Sequence, residues 1–281
     1  MIIQDAALRL WASTPPFLRK ACYKACMGHS LASLLLPNRL ETAEIIGGIG
    51  RGMRMRLNLE QERGYYLGIH ELDVQSLIAE IVKPGMRVYN IGAHLGFFSL
   101  ILAKLVSPEG RVISFEPNPE VRKRLLDNLS LNDVNGRVCV EGTALGDFDG
   151  TAEFSLALSD TQGRFKDLSH VQPDCVIQVS CKCLDTYAEE TKVIPDFILM
   201  DVEHAEGRVL RGMERTLKNH RPIVVVELHG EAAIKESWEE LQKHDYRIGK
   251  IPGMKIAQSV NDLAYGHYLA AHSSYFNREL K

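Results

Sequence analysis

The fold of this chain is decided by residues 87–100, which read RVYNIGAHLGFFSL. The first five residues favour a short strand, because β-branched and aromatic side chains suit a pleated, buried surface. Gly92 and Gly96 follow, and glycine lets a backbone turn sharply and approach a ligand closely. From Leu95 onward, apolar residues recur at helical spacing. A strand, a glycine turn and a helix in this order predict an open α/β sheet with a nucleotide-sized site at the carboxyl end of the strand.

The spacing of the glycines bears on which nucleotide is bound. A dinucleotide-binding turn has the pattern G-x-G-x-x-G, and free N–H groups at the helix N-terminus hold the pyrophosphate. Here Gly92 and Gly96 form only G-x-x-x-G, with alanine at position 93. S-adenosylmethionine (SAM) has no pyrophosphate, and this looser turn suits it. A dinucleotide oxidoreductase is the alternative from another enzyme class, and the turn alone does not exclude an ordinary strand-to-helix connection without a ligand.

The next predicted strand supplies a second signal for a cofactor. Residues 111–116 read RVISFE and are followed by Pro117, so the strand ends in an acid 24 residues after Gly92. An acid at the end of the second strand accepts hydrogen bonds from the two ribose hydroxyls, and its charge disfavours a 2′-phosphate. The turn and Glu116 together predict a cofactor that contains adenosine.

Composition and charge narrow the class of protein. The chain has 281 residues, 45% of them hydrophobic and 25% charged, as in ordinary soluble globular proteins. The net charge of −3 and the pI near 6.4 argue against a nucleic-acid partner. No apolar run approaches the ~20 residues of a membrane-spanning helix, and the N-terminus lacks the layout of a signal peptide. We therefore expect a cytoplasmic protein without a membrane span.

Two parts are predicted along the chain, an extension over residues 1–62 and a main α/β domain over residues 63–281. Within the extension, residues 2–12 and 16–36 have the pattern of two amphipathic helices. Residues 43–59 read as a β-hairpin around a glycine-rich turn. An exposed hairpin of this kind is compatible with a homodimer.

Added β arms and a helix are predicted later in the main domain. Residues 151–158 and 176–183 read as the two arms, and the polar segment 159–173 between them reads as an irregular loop. Residues 205–217 read as one helix.

Acids and a histidine close the predicted fourth and fifth strands. The fourth strand, residues 195–203, reads PDFILMDVE. Asp201 and Glu203 are two residues apart, which places them on the same side of a strand. The fifth strand reads IVVVELH and ends with Glu227 and His229. Because the carboxyl ends of parallel strands meet at one edge of a sheet, these side chains are expected near the cofactor turn.

With these motifs, the chain resembles the FkbM-type SAM-dependent methyltransferases from about residue 41 to residue 228, and more weakly beyond. The resemblance rests on GIHE at 68–71, VYNIGAHLG at 88–96, FEPNP at 115–119, ALGD at 144–147, MDVE at 200–203 with AE at 205–206, and VELH at 226–229. It implies an α/β fold with the Rossmann-like, seven-stranded sheet of class I methyltransferases. It also implies SAM as the methyl donor and O-methylation of a hydroxyl on a small metabolite or sugar.

The turn and the family motifs together give the expected cofactor contacts. These are Glu71, Asn90, Gly92, His94, Gly96, Glu116, Pro117, Ala144 and Asp201. Two of them have competing interpretations. Glu71 lies near the start of a predicted helix, where it could instead interact with the helix dipole. His94 could pack or cap within the turn.

The sequence departs from the family pattern at two positions. The family has aspartate at the position of Asn90, where a charge would help to hold the methionine end of SAM. The family also has glycine at the position of His204, beside Asp201 and Glu203. These departures keep a third hypothesis open, a non-catalytic protein that binds SAM or a partner.

Methyl transfer to a hydroxyl requires removal of a proton, because an aliphatic hydroxyl is a poor nucleophile. His229, Asp201 and Glu227 are the catalytic candidates, and His229 has the ordinary pKa of a general base. The alternative for His229 is a core or loop histidine that bonds a carbonyl. Asp201 and Glu227 could instead bind a divalent cation such as Mg²⁺, or bond the SAM amino group and strand-end amides. No other metal site is expected, because the cysteines lack two well-spaced ligand pairs.

Overall fold

The structure, a computed structural model, describes residues 36–134, 136–156, 163–165 and 175–279. The two predicted N-terminal helices fall on residues that lie outside this description, apart from residue 36, and so does most of the predicted loop at 159–173. Within the described ranges, no helix combines the length and the apolar character needed to cross a bilayer.

The chain alternates strands and helices. The strands are β1 (Leu40–Glu44), β2 (Arg54–Asn58), β3 (Arg87–Ile91), β4 (Arg111–Phe115), β5 (Val138–Glu141), β6 (Ala144–Leu145), β7 (Gly150–Leu156), β8 (Gly163–Phe165), β9 (Cys175–Lys182), β10 (Phe197–Met200), β11 (Ile223–Leu228), β12 (Tyr246–Lys250), β13 (Lys255–Ile256) and β14 (Gly266–His272). The helices are α1 (Arg63–Tyr66), α2 (Leu72–Ile81), α3 (Phe97–Leu105), α4 (Pro119–Ser130), α5 (Leu184–Thr191), α6 (Glu206–Arg211), α7 (Glu214–Asn219), α8 (Gly230–Lys243) and α9 (Ser273–Glu279), with a 3₁₀ turn at Val260–Asp262.

The central sheet has the spatial order β13-β12-β14-β11-β10-β3-β4-β5. β3 pairs in parallel with β10 and β4, and β14 runs antiparallel to β11 and β12. The predicted seven-stranded α/β sheet is confirmed, and the two-residue β13 extends it by an eighth strand along β12. The strand order reverses at β3, and open α/β sheets form their ligand crevice at the carboxyl ends beside such a reversal.

The register of the central strands places their ends level with one another. Ile91 of β3 pairs with Phe115 of β4 and with Met200 of β10, and Met200 pairs with Val226 of β11. The residues that follow these four positions therefore emerge side by side at one edge of the sheet: Gly92, Glu116, Asp201 and Glu227.

Apolar side chains cover both faces of the central sheet, as a continuous apolar strand requires. Consecutive residues of β3 point to opposite faces, so that Val88 belongs to one core and Tyr89 to the other. The helix after the glycine turn, α3, is buried along most of its length, and Leu100 and Ile101 are fully inaccessible. This burial fixes the helix behind the turn and so fixes the turn itself.

The predicted hairpin is present, with β1 and β2 paired antiparallel. Met55 is fully buried in the core of the main domain. The N–H groups of Arg54 and Arg56, on the free edge of β2, donate to the side chains of Asn132 and Asn128 at 2.8 and 2.7 Å. This edge is therefore covered by the protein itself. A homodimer through the hairpin and a domain boundary after residue 62 stay predictions.

The prediction of a single helix over residues 205–217 is wrong, because α6 and α7 are separate. The carbonyl of Gly212 accepts a hydrogen bond from the N–H of Asp185 at 3.0 Å, outside the helical pattern. The Asp185 carboxylate then accepts from the N–H groups of Arg215 and Thr216 in the first turn of α7. The chain thus begins a new helix at a cap that a distant residue provides.

A second sheet has the order β6-β9-β7-β8. It contains the two predicted arms, as β7 and β9, paired antiparallel. The prediction of an irregular loop over residues 159–173 is wrong at residues 163–165, because these form β8 and pair with β7.

Candidate active site

A cavity of about 630 Å³ opens at the carboxyl ends of β3, β4, β10 and β11. Its lining includes most of the predicted cofactor and catalytic residues: Glu71, Asn90, Gly92, His94, Glu116, Pro117, Ala144, Asp201, Glu227 and His229. Gly96 does not line it and lies behind the turn, where a Cβ would be 2.4 Å from Cδ1 of Leu125. The structure shows that these residues line one cavity. Their roles in binding and catalysis stay predictions.

The N–H groups of the glycine turn are engaged in hydrogen bonds within the protein. Gly92 and Ala93 both donate to the carbonyl of Phe115, at 3.0 and 2.9 Å, and Gly96 donates to the carbonyl of Ala93 at 2.9 Å. A pyrophosphate needs such N–H groups to be available. The turn is thus poorly suited to a dinucleotide and better suited to a cofactor without a pyrophosphate.

Glu116 is fixed at the end of β4 by two backbone donors. Its Oε2 accepts from the N–H of His94 at 2.9 Å, and its Oε1 accepts from the N–H of Asn118 at 2.9 Å. Burial raises the pKa of this carboxyl to about 7, although both N–H groups and Arg122 act to lower it. A carboxylate has about four lone-pair sites, so each oxygen can still accept one ribose hydroxyl.

The raised pKa of Glu116 predicts that affinity for the cofactor product, S-adenosylhomocysteine, rises with pH. In the predicted contact the ribose hydroxyls bind the ionised carboxylate, whose population in the free protein grows as pH passes through about 7. We expect the affinity to increase by up to about tenfold between pH 6 and pH 8, measured by isothermal titration calorimetry. Glu116→Gln should remove the slope, and an equal slope in that variant would contradict the assignment.

The same shift has a definite sign for stability. The pKa of Glu116 is higher in the folded chain than its ordinary value of 4.5, so between these two pH values the folded state holds more protons than the unfolded state. The contribution of this group to the free energy of unfolding is therefore largest at low pH and is lost as pH rises through about 7.

Asn90, at the end of β3, is anchored to the helix behind it. Its Nδ2 donates to the hydroxyl of Ser99 at 2.9 Å, and that hydroxyl lies 2.9 Å from the hydroxyl of Ser114 on β4. All three side chains are buried. Asn90 therefore joins β3, α3 and β4 through a hydrogen-bonded chain, and its contact with a cofactor stays a prediction.

His229 follows β11 and is surrounded by carboxylates. Its Nδ1–H donates to Oε1 of Glu206 at 2.7 Å. Its Nε2 lies 3.7 Å from Glu227, 3.8 Å from Asp201 and 4.0 Å from Glu203. Burial lowers the pKa of the imidazole, but the Glu206 hydrogen bond and the neighbouring carboxylates raise it to about 9. A raised pKa leaves a smaller share of the imidazole deprotonated at neutral pH, and the role of His229 as a general base stays a prediction.

The prediction that the fourth strand extends to Glu203 is wrong, because β10 ends at Met200. The N–H of Asp201 still donates to the carbonyl of Ile91, and the chain then turns through Glu203 and His204 at φ values of 48° and 75°. Asp201 and Glu203 therefore approach His229 through a left-handed turn and not through strand alternation.

His204 occupies a backbone conformation that favours glycine, the residue that the family resemblance implies at this position. Its Nδ1–H donates to the carbonyl of His229 at 2.9 Å, and its own N–H donates to Oε1 of Glu206 at 3.2 Å. For a residue other than glycine, the left-handed backbone conformation costs about 1–2 kcal/mol of stability. The two hydrogen bonds offset that strain and tie the turn to the residues around His229.

Asp201 lines the cavity with its side chain about half exposed there. Desolvation by the surrounding walls raises its pKa well above the ordinary range, and the carboxylate of Glu227 adds to the rise. The carboxyl groups in this part of the cavity thus repel one another.

Glu71 binds two histidines. Its carboxylate oxygens lie 2.9 Å from Nε2 of His70 and 3.1 Å from Nε2 of His267. Burial acts to raise its pKa, but the hydrogen bonds from His267 and His70 prevail and lower it to about 2. Glu71 precedes α2 without capping it through its side chain, so its contacts are directed to the cavity wall.

Sequence reasoning missed three residues at the cavity. His267 lies opposite Glu227 because β14 pairs antiparallel with β11, and their side chains are 3.5 Å apart. The Tyr265 ring lies 5.3 Å from the His229 ring and its hydroxyl bonds Glu227. Glu206 belongs to a family motif, but only the structure shows it to be fully buried against His229.

The chain matches the methyltransferase FkbM domain over residues 90–248, which is more than half of its length. It belongs to the FkbM methyltransferase family. The fold and the resemblance inferred from the sequence are thereby confirmed, and SAM is the cofactor that this class of domain uses. The FkbM match also favours methyl transfer over the dinucleotide oxidoreductase hypothesis.

Several known proteins are similar to this FkbM-family chain over part of their length. The hexuronic acid methyltransferase AglP of Haloferax volcanii is 27% identical over 160 residues, which cover 57% of this chain and 62% of that protein. The AMB antimetabolite synthetase AmbE of Pseudomonas aeruginosa is 37% identical over 73 residues, or 26% of this chain and 3% of that protein. The chain thus spans less than two thirds of either relative.

Among solved structures, the FkbM methyltransferase of Methylobacillus flagellatus KT superposes with a TM-score of 0.46 at 16% identity. The superposition covers 72% of this chain and 55% of that one.

Proposed function

We propose that this FkbM-family protein transfers the methyl group of SAM to a hydroxyl of a sugar or another small metabolite. The observation that carries the proposal is one cavity at the ends of four neighbouring strands. Glu116, with both carboxylate oxygens oriented by backbone donors, lies in the same cavity as Asp201, Glu227 and His229. A cofactor held through its ribose therefore shares a compartment with groups that can bind an acceptor hydroxyl.

The proposed reaction is an in-line displacement. The acceptor oxygen forms a bond to the methyl carbon, and the bond from that carbon to sulfur breaks and leaves S-adenosylhomocysteine. The hydroxyl proton must pass to a base or to water. Asp201 and Glu227 are the candidates for that base. Alignment of donor and acceptor supplies much of the rate in such a step, which is consistent with a site built on strand ends.

The charge of the cavity bears on the class of acceptor. Asp201, Glu203, Glu227 and Glu71 all line it, and like charges repel an anionic substrate. AglP is a hexuronic acid methyltransferase, and a hexuronate carries a negative charge. For this chain the acidic lining favours a neutral hydroxylated acceptor over a hexuronate.

Asn90 supports a second candidate, a non-catalytic SAM-binding protein. The FkbM pattern has aspartate at this position, and the Asn90 amide instead donates to Ser99. If the protein and its Asn90→Asp variant both bound S-adenosylhomocysteine but neither methylated any acceptor, this second candidate would replace the first.

The test is a methyl-transfer assay on the full chain with SAM. The acceptor panel comprises neutral mono- and disaccharides, hexuronates and small hydroxylated aromatics, with release of S-adenosylhomocysteine and the product mass as readouts. We expect turnover with neutral hydroxylated acceptors, faster than with hexuronates. Turnover of hexuronates alone would overturn the proposed acceptor class, and absence of cofactor binding would overturn methyl transfer.

A further inference from the structure

We propose that a divalent cation of the Mn²⁺ type binds between His229, Asp201 and Glu203 at the carboxyl ends of β10 and β11, with Glu227 beside the same site. Glu206 is the positioning residue that holds the imidazole toward the cation. The catalytic use of the cation rests on the methyl transfer proposed above, whereas the binding of the cation does not.

The first argument is the spacing of the donor atoms around Nε2 of His229. Three carboxylate oxygens lie 3.7, 3.8 and 4.0 Å from that nitrogen, and each distance is longer than a hydrogen bond. The donor atoms of Asp201, Glu203 and His229 all lie within 4.8 Å of one another. With bonds of about 2.0–2.2 Å to one ion, its ligand atoms lie roughly 3–4.4 Å apart. The observed spacing therefore matches a shared ion better than direct hydrogen bonds.

The second argument is the way in which the histidine is held. His229 is only 7% exposed, and its Nδ1–H donates to the fully buried Glu206. The same Glu206 oxygen accepts from the N–H of His204, so the carboxylate is itself fixed. Histidines that bind metals usually donate their other ring N–H to such a carboxylate, which sets the tautomer and points the free nitrogen at the ion.

The third argument is charge. Asp201, Glu203 and Glu227 converge on one imidazole, and Glu71 lies on the far side of His267. A divalent cation placed among these carboxylates would offset their mutual repulsion. Carboxylate oxygens suit Mg²⁺, Ca²⁺ and Mn²⁺, and Mn²⁺ is the transition metal among these three, the class of ion that also binds imidazole.

The cation would act on the acceptor. Asp201 is open to the cavity, which leaves room for a further oxygen ligand beside it. A bound divalent ion lowers the pKa of a coordinated hydroxyl. That hydroxyl releases its proton to cavity water, its oxygen bonds the methyl carbon, and the sulfur of SAM keeps the electron pair of the broken bond.

The test measures Mn²⁺ uptake by the metal-stripped full chain without any cofactor, from the loss of the electron paramagnetic resonance signal of free Mn²⁺. We expect one ion per chain, at least a tenfold weaker affinity in His229→Ala, and a ten- to hundredfold loss in Glu206→Gln. His272→Ala is the matched control, because His272 also faces a carboxylate, Asp245 at 3.7 Å, but lies away from the cavity.

Binding of S-adenosylhomocysteine is measured on the same samples and separates the two proposals. Glu116→Ala should lose that ligand and keep Mn²⁺, whereas His229→Ala should keep the ligand, which also shows that it is folded. If the unaltered chain takes up no Mn²⁺, or if His229→Ala and Glu206→Gln bind it as the unaltered chain does, the cation site is overturned. In that case the alternative is that the carboxylates accept hydrogen bonds from the amino group of SAM.

Discussion

Replacing Glu116 with alanine is expected to weaken binding of S-adenosylhomocysteine by roughly 100-fold or more. The carboxylate is proposed to accept one hydrogen bond from each ribose hydroxyl, and bonds to a charged group contribute about 1.5–3 kcal/mol each. Loss of both amounts to about 3 kcal/mol or more, at 1.4 kcal/mol for each factor of ten in affinity. Calorimetric titration at pH 8, where most of the carboxyl is ionised, measures the effect most directly.

Glu116→Gln serves as the matched variant for this prediction. Alanine leaves the N–H groups of His94 and Asn118 without their carboxylate acceptor, and each such buried group costs about 1–3 kcal/mol. Glutamine keeps one acceptor oxygen and the shape of the side chain, so its melting temperature should lie closer to that of the unaltered chain. If Glu116→Ala stayed folded and bound the ligand without loss, the ribose contact would be disproved.

Gly92→Ala is expected to lower the melting temperature by about 10 °C and to abolish cofactor binding. Gly92 has a φ of 82°, and a Cβ there would lie 1.8 Å from the carbonyl oxygen of Asp201. The left-handed backbone and the clash with rigid backbone each cost about 1–3 kcal/mol. In a domain of this size, 1 kcal/mol shifts the melting temperature by about 2–4 °C. Differential scanning calorimetry measures the change.

Gly52→Ala separates the clash from the backbone strain. Gly52 has a similar φ of 89°, but nothing lies within 4 Å of the Cβ position. This variant should lose only about 1–2 kcal/mol and should bind the cofactor normally. Equal melting temperatures for the two alanine variants would show that the turn can move away from Asp201, and the proposed rigidity of the site would then be wrong.

The contact of Gly92 with Asp201 also changes what the glycine turn means. The sequence gives glycines a role in admitting a ligand, but the structure shows that Gly92 makes room for the end of β10 and Gly96 for Leu125. Both glycines therefore serve the packing of protein against protein. That packing in turn brings the cofactor turn beside Asp201, and because Gly92 also lines the cavity, its contact with the cofactor stays a prediction.

The sequence by itself determined the central strands and helices, the glycine turn between β3 and α3, and the position of Glu116 at the end of β4. Each of these depends on residues close in the chain: apolar runs, glycine spacing, and Asn118 and Pro119 at the start of α4. Parallel pairing then required only that the strands be in register, and it placed Glu116, Asp201 and Glu227 at one edge. Local patterns were sufficient here because local conformational preferences and burial agree.

Only the tertiary structure decided which polar groups meet. His267 reaches Glu227 through an antiparallel strand formed late in the chain, and Glu206 fixes His229 across 23 residues. Asp201 and Glu203 converge through a left-handed turn that strand periodicity does not contain. A hydrogen bond forms only when the distance between its two atoms is right to within a few tenths of an ångström. When the two atoms belong to elements far apart in sequence, the packing of the whole domain sets that distance.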